Sequence, residues 1–176
     1  MFPQLETLTT GVFNEIITCS LCNASRTNRM PSGNILLYLP VEGEMHDLKE
    51  VFSKHFSEEE IHVQCQNPNC PNYIIVISKS KKENPKPNSK KQISFITLPE
   101  ILLVELKRHK DRFETQNNRN NVPVEFHDTI TLKTFESEVE VAYTLTSILY
   151  QEENLDKGSF YSGHYKVNVK DSSNKW

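Results

Sequence analysis

Leu98-Pro99-Glu100-Ile101-Leu102-Leu103-Val104-Glu105-Leu106-Lys107-Arg108 is a nearly continuous apolar run entered through a proline. The spacing predicts a strand over residues 101–106, buried on both faces. Further strand signals lie on either side of it. Residues 34–39 and 73–78 are short apolar runs bounded by Gly, Pro and Asn. Residues 138–150 are rich in Val, Ile, Thr and Tyr, and residues 161–170 alternate apolar with polar. One helix stands out among them. Asp47-Leu48-Lys49-Glu50 resembles a capping box with Asp47 as N-cap, and Leu48, Val51, Phe52 and Phe56 follow at helical spacing. No repeat is visible, and the fold class is α+β with mostly antiparallel sheet.

A chain of 176 residues is enough for one domain or one large domain fragment with a real core. Hydrophobic residues make up 36% and mean hydropathy is −0.55, which describes a soluble, loop-rich protein. No apolar run reaches the roughly 18 residues of a membrane span, so no membrane partner is expected. The first residues, Met1-Phe2-Pro3-Gln4-Leu5-Glu6, show no secretory signal, and a cytoplasmic or nuclear location is expected. In that reducing setting the four cysteines stay unpaired or bind metal. The formal charge of −3 argues against nucleic acid as the main ligand. Charge is uneven, however. Residues 79–91 hold six lysines, one glutamate and no hydrophobic residue. Such a segment reads as a solvated, mobile basic loop rather than a nucleic-acid patch, because no aromatic interleaves the lysines.

The cysteines carry the first chemical signal. Cys19-Ser20-Leu21-Cys22 is a CxxC knuckle and Cys65-Gln66-Asn67-Pro68-Asn69-Cys70 a CxxxxC knuckle. A short turn lets two thiolates of one loop reach one zinc ion, and two such turns complete a tetrahedral site. Pro68 and the flanking Asn residues suit a tight second turn. Disulfides are disfavoured by compartment, and isolated buried cysteines by the pairing. A zinc ion held by Cys19, Cys22, Cys65 and Cys70 would be structural, since no coordination position stays open for water. Four cysteines minus four ligands leaves no nucleophile.

The second signal is Ser162-Gly163-His164-Tyr165, which follows a polar stretch, residues 151–159, and opens a strand. A histidine at a loop-to-strand junction has a fixed backbone and a ring that can face a cleft, which suits a general base. Gly163 beside it admits close approach of another backbone. Alone the pattern is weak. His46, His55, His62, His109 and His127 keep the ordinary reading of surface or satisfied core residues.

Taken in order, the knuckles, the helix near residue 50, the Leu98–Arg108 run, Tyr143-Thr144-Leu145-Thr146-Ser147-Ile148-Leu149, Ser162-Gly163-His164-Tyr165 and Asn174-Lys175-Trp176 resemble the ubiquitin-specific protease family of cysteine deubiquitinases. The resemblance runs from about Leu8 onward and rests on several ordered motifs. It implies the C-terminal part of a papain-like catalytic domain: zinc-binding fingers over about residues 14–97, a palm over about 98–176, and a thumb largely missing. It implies removal of ubiquitin from proteins by thiol-dependent isopeptide hydrolysis, with ubiquitin and ubiquitinated proteins as partners. By position His164 matches the catalytic general base, and Gly163 and Tyr165 the binding path of the ubiquitin tail. Residues 151–161 and 109–121 match two loops over that tail.

The chain also departs from the family pattern. No counterpart of the nucleophilic cysteine precedes Cys19, and the third catalytic residue would follow Trp176. His109 stands where phenylalanine is usual after Lys107-Arg108. Two expectations therefore compete: a fragment of a deubiquitinase, or an inactive ubiquitin-binding or scaffolding module. A zinc-ribbon nucleic-acid binder is opposed by the acidic remainder and the histidine motif. Oligomeric state is not legible.

Overall fold

The computed structural model of the chain describes residues 3–40, 45–73, 88–108, 120–135, 140–153 and 163–176. A short helix α1 (Pro3–Thr9) leads into β1 (Gly11–Cys19), β2 (Ser25–Ser32) and β3 (Ile35–Tyr38). The two-residue β4 (His46–Asp47) feeds α2 (Leu48–His55), followed by β5 (Glu59–Ile61) and a 3-10 turn at Pro71–Tyr73. Then come β6 (Ser89–Thr97), β7 (Val104–Lys107), β8 (Val124–Glu125), β9 (Thr129–Lys133), β10 (Glu140–Thr144), β11 (Ser147–Glu153) and β12 (Gly163–Val169).

Long antiparallel strands dominate. The main sheet has the order β2-β1-β6-β5, and the pairs β9–β10 and β11–β12 are antiparallel ribbons. Among the described residues, parallel pairing is limited to β3–β7, the short β4–β8 and an isolated bridge between Phe95 and Thr134. Along β1 the buried positions Gly11, Phe13, Ile17 and Cys19 share one face of the strand by alternation, with half-buried Glu15 between Phe13 and Ile17. At its start Gly11 packs so closely on the β6–β7 connection that a Cβ would lie 3.0 Å from Pro99 Cδ and 3.1 Å from Thr97 O. A side chain there would be tight, and the Pro99 ring or the Thr97 carbonyl would have to give by a few tenths of an ångström.

The core gathers at that end of the sheet. Phe13, Ile35, Leu37, Leu39, Leu48, Val51, Phe52 and Phe95 form one buried cluster, with the Phe13 and Phe95 rings 4.5 Å apart. Helix α2 contributes Leu48, Val51 and Phe52, as its spacing predicts. Asp47 caps it, its side chain accepting from Lys49 N at 2.7 Å and from the His127 ring at 2.9 Å. The cap bond therefore goes to the second helical residue, and His127 ties the start of α2 to the β8–β9 turn.

Three sequence expectations are corrected. The strand expected over residues 101–106 begins only at Val104, and Ile101 and Leu103 are 44% and 47% exposed. It pairs with β3 alone among the described residues and shows one inner face, so it is not buried on both sides. Of the Val-, Ile-, Thr- and Tyr-rich stretch 138–150, the described residues from Glu140 onward fall into two strands separated at Leu145 and Thr146 rather than one. The basic stretch 79–91 is not all loop, because Ser89, Lys90 and Lys91 open β6. There Lys90 and Lys91 form ion pairs with Glu58 and Glu59 at 2.6 and 2.5 Å. Residues 79–87, and the strand expected over 73–78 beyond Tyr73, lie outside the described residues.

Candidate functional site: a thiol cluster and an exposed histidine

The far end of β1 enters the first knuckle. Cys19 N–H donates to Ala24 O and Asn23 N–H to Cys19 O, at 3.0 and 2.9 Å, which closes the β1–β2 turn. Asn23 sits at φ 57°, a left-handed conformation that asparagine tolerates better than most residues. The second knuckle folds on Asn67, whose side chain accepts from Asn69 N at 3.1 Å while its carbonyl accepts from Cys70 N at 3.0 Å. Both turns thus satisfy their own backbone, leaving the four side chains to converge.

They do converge. Cys19 Sγ lies 3.7 Å from Cys70 Sγ and Cys22 Sγ 3.6 Å from Cys65 Sγ. All four sulfurs fall within 4.8 Å of one another, and Cys19, Cys65 and Cys70 are buried. An ion about 2.3 Å from four sulfurs at tetrahedral corners needs S···S distances of about 3.8 Å. The spacing and the four soft donors fit such an ion, and all four cysteines are free of disulfides. The cluster can hold a metal ion. Asn67 N–H donates to Cys65 Sγ at 3.4 Å, which favours the thiolate. Burial and the neighbouring Cys22 and Cys19 thiols outweigh it, so the Cys65 pKa lies above the ordinary thiol value. A bound cation would reverse that balance.

The other predicted residues lie on the β11–β12 ribbon. His164 is the second residue of β12, pairs with Glu152 and is exposed; Gly163 pairs with Glu153 and Tyr165 with Gln151. By strand alternation His164 shares a face with Ile148, Tyr150, Lys166 and Asn168. Leu149, Tyr165, Val167 and Val169 line the opposite face and are 58–71% exposed. Thus His164 and Tyr165, adjacent in sequence, point to opposite sides of the ribbon. Among the described residues, no hydrogen bond to the His164 ring is formed. Residues 151–153, expected to open a polar loop, are instead the end of β11. The rest of that stretch, Ser162 and residues 109–119 lie outside the described residues.

Sequence reasoning missed several contacts elsewhere in the fold. Asn120 is 8% exposed and donates to Pro40 O and Leu39 O, while Arg108 donates to the carbonyls of Asn120 and Val122. Asn120 N–H also donates to Arg108 O at 2.6 Å, which holds these two residues side by side. Below the ribbon, Lys170 Nζ bonds Asp128 at 2.8 Å and lies 5.1 Å from the centre of the Trp176 ring. None of these contacts has a sequence signature, because each joins residues 6 to 81 positions apart.

No curated protein matches the chain. Among solved structures, a SAGA Ubp8/Sgf11/Sus1/Sgf73 DUB module bound to ubiquitin aldehyde is similar at TM-score 0.68 and 18% identity, covering 96% of this chain and 35% of that one. A yeast SAGA DUB module is similar at TM-score 0.69 and 21% identity, covering 96% and 34%. At such identities the likeness shows the fold, that of a ubiquitin-specific protease catalytic domain, and the chain spans about a third of the length of the structures it matches. The ubiquitin carboxyl-terminal hydrolase family profile matches residues 4–176, nearly the whole sequence, and the chain belongs to that family.

Proposed function

We propose that the chain is the fingers and palm of a cysteine deubiquitinase domain that binds ubiquitin and takes part in its removal from proteins. The family match over residues 4–176 carries this reading. The fingers, about residues 14–97, would hold one structural zinc ion on Cys19, Cys22, Cys65 and Cys70. That ion would supply a rigid crosslink between the β1–β2 turn and the loop before β6. The palm, about residues 98–176, would carry His164 as general base, taking the proton of an attacking thiol. Gly163 and Tyr165 would line the path of the ubiquitin tail. Nucleic acid and membrane are not proposed as partners, and the setting is the cytoplasm or nucleus.

A specific observation favours a second reading for this chain by itself. Its only four cysteines meet in one cluster, so none is free to attack a carbonyl. The chain alone would then bind ubiquitin without cleaving it, as a ubiquitin-binding or scaffolding module. Titration of the zinc-loaded chain into isotope-labelled ubiquitin tests the shared part of both readings. Saturable shifts that persist in His164→Ala support ubiquitin binding. The absence of shifts at millimolar chain would refute it.

A further inference from the structure

The thiol cluster adjoins a small cavity of about 40 Å³, lined among others by Cys19, Cys65, Arg26, Gln64 and Ser89. Two polar atoms of this lining, Ser89 Oγ and Arg26 Nε, are buried with no hydrogen-bond partner. Ser89 is 1% exposed, so its hydroxyl has no access to bulk water. It is also the register partner of Cys19 across β1 and β6. Side chains directly opposite in an antiparallel pair stand on one face, with Cβ atoms about 4.5–5.5 Å apart. Arg26 approaches from the other side of β1, in β2, where it pairs with Ile17.

Both orphaned atoms are donors, and an unsatisfied buried donor is costly. A neutral thiol is a weak acceptor for either. A metal-bound thiolate is a far better one, since it carries charge and lone pairs. Four thiolates around one divalent ion also leave a formal charge of 2−, which a buried site must offset. Donors of this kind, waiting beside ligands, are what the surroundings of a thiolate site require.

We propose that Ser89 and Arg26 are the outer shell of the metal site. In the loaded protein the Ser89 hydroxyl donates to a thiolate sulfur on the Cys19 side, and the Arg26 guanidinium offsets the charge of the cluster. This rests on the reading of the four cysteines as a metal site, and the experiment separates the two.

The full chain is loaded with zinc and titrated with a chromogenic chelator, alongside Ser89→Ala, Arg26→Gln and Arg26→Lys. Ser89→Ala and Arg26→Gln should each bind zinc about 10-fold to 100-fold more weakly, with Arg26→Lys between them and the parent. Metal-free Ser89→Ala should melt no lower than the metal-free parent, because the change deletes an unsatisfied hydroxyl. With cobalt in place of zinc, the thiolate-to-metal charge-transfer bands should shift in Ser89→Ala. Affinities within twofold of the parent for both Ser89→Ala and Arg26→Gln overturn the proposal. So does a metal-free Ser89→Ala that melts lower with its zinc affinity unchanged, which would mark a packing role only. A parent chain that takes up no zinc overturns the metal reading itself.

Discussion

The thiol cluster and the His164 ribbon solve the problem of positioning a reactive side chain in opposite ways. Cys19, Cys65 and Cys70 are 3%, 5% and 2% exposed, held by two turns whose backbone bonds are local. His164 stands on a two-stranded ribbon whose other face leaves Leu149, Tyr165 and Val167 70%, 71% and 58% exposed. A two-stranded ribbon is marginal without packing on a face, whereas four converging thiols need only an ion to lock them. The four thiols thus meet in a buried, metal-competent cluster, while His164 faces solvent.

Removing the cysteines should break that contrast most severely. The double variant Cys19→Ser with Cys70→Ser is expected to lose its zinc altogether, from one ion per chain to none by elemental analysis. Because structural zinc binding is worth on the order of 10 kcal/mol or more, amide-exchange protection at the end of β1 and the start of β6 should collapse with it.

A core truncation sharpens the contrast next. Leu37 is fully buried, and Leu37→Ala should cost about 2–5 kcal/mol in denaturant unfolding. Leu149→Ala, on the exposed ribbon face, should change stability by about 0.5 kcal/mol or less. A large loss at Leu149 would mean that the ribbon is packed in solution and that the two regions are more alike than their exposures indicate.

Acidification gives a smaller effect, confined to the core side. Burial holds the His55 pKa below its ordinary 6.5, helped by Lys91 and opposed by Glu59. The unfolded chain therefore takes up that proton first. The stabilising contribution of neutral His55 is complete above pH 6.5 and is lost as pH falls through the unfolded value towards the lower folded one. His55→Gln should flatten the stability profile over that interval, measured by melting at successive pH values.

Smaller still is the cap of α2. The Lys49 N–H bond, aided by His127 and by the Lys49 charge, holds the Asp47 carboxyl below its ordinary range against some desolvation. With its folded pKa depressed, Asp47 stabilises the fold above its unfolded value and ceases to do so as pH falls through the folded one. Asp47→Ala should lower the melting temperature by a few degrees at neutral pH and by less in acid.

Much of this architecture was legible because it is written in short-range chemistry. The knuckles need only turn residues between cysteines, and α2 needs only a cap and the Leu48, Val51, Phe52 stripe. The start of β6 was not legible, because Lys90 and Lys91 read as loop until Glu58 and Glu59 are placed across from them. Residues 101–103 looked buried because an apolar run does not reveal how many neighbours a strand acquires. The proposed role of His164 rests on its position in the sequence and its exposed setting, and among the described residues no hydrogen bond orients its ring.

Turnover of a fluorogenic ubiquitin conjugate tests the central claim most directly. With all four cysteines committed to one cluster, the zinc-loaded chain should release no more fluorophore than its His164→Ala variant. Turnover above that control would contradict the account, since it would require a thiolate free of the cluster and within reach of His164.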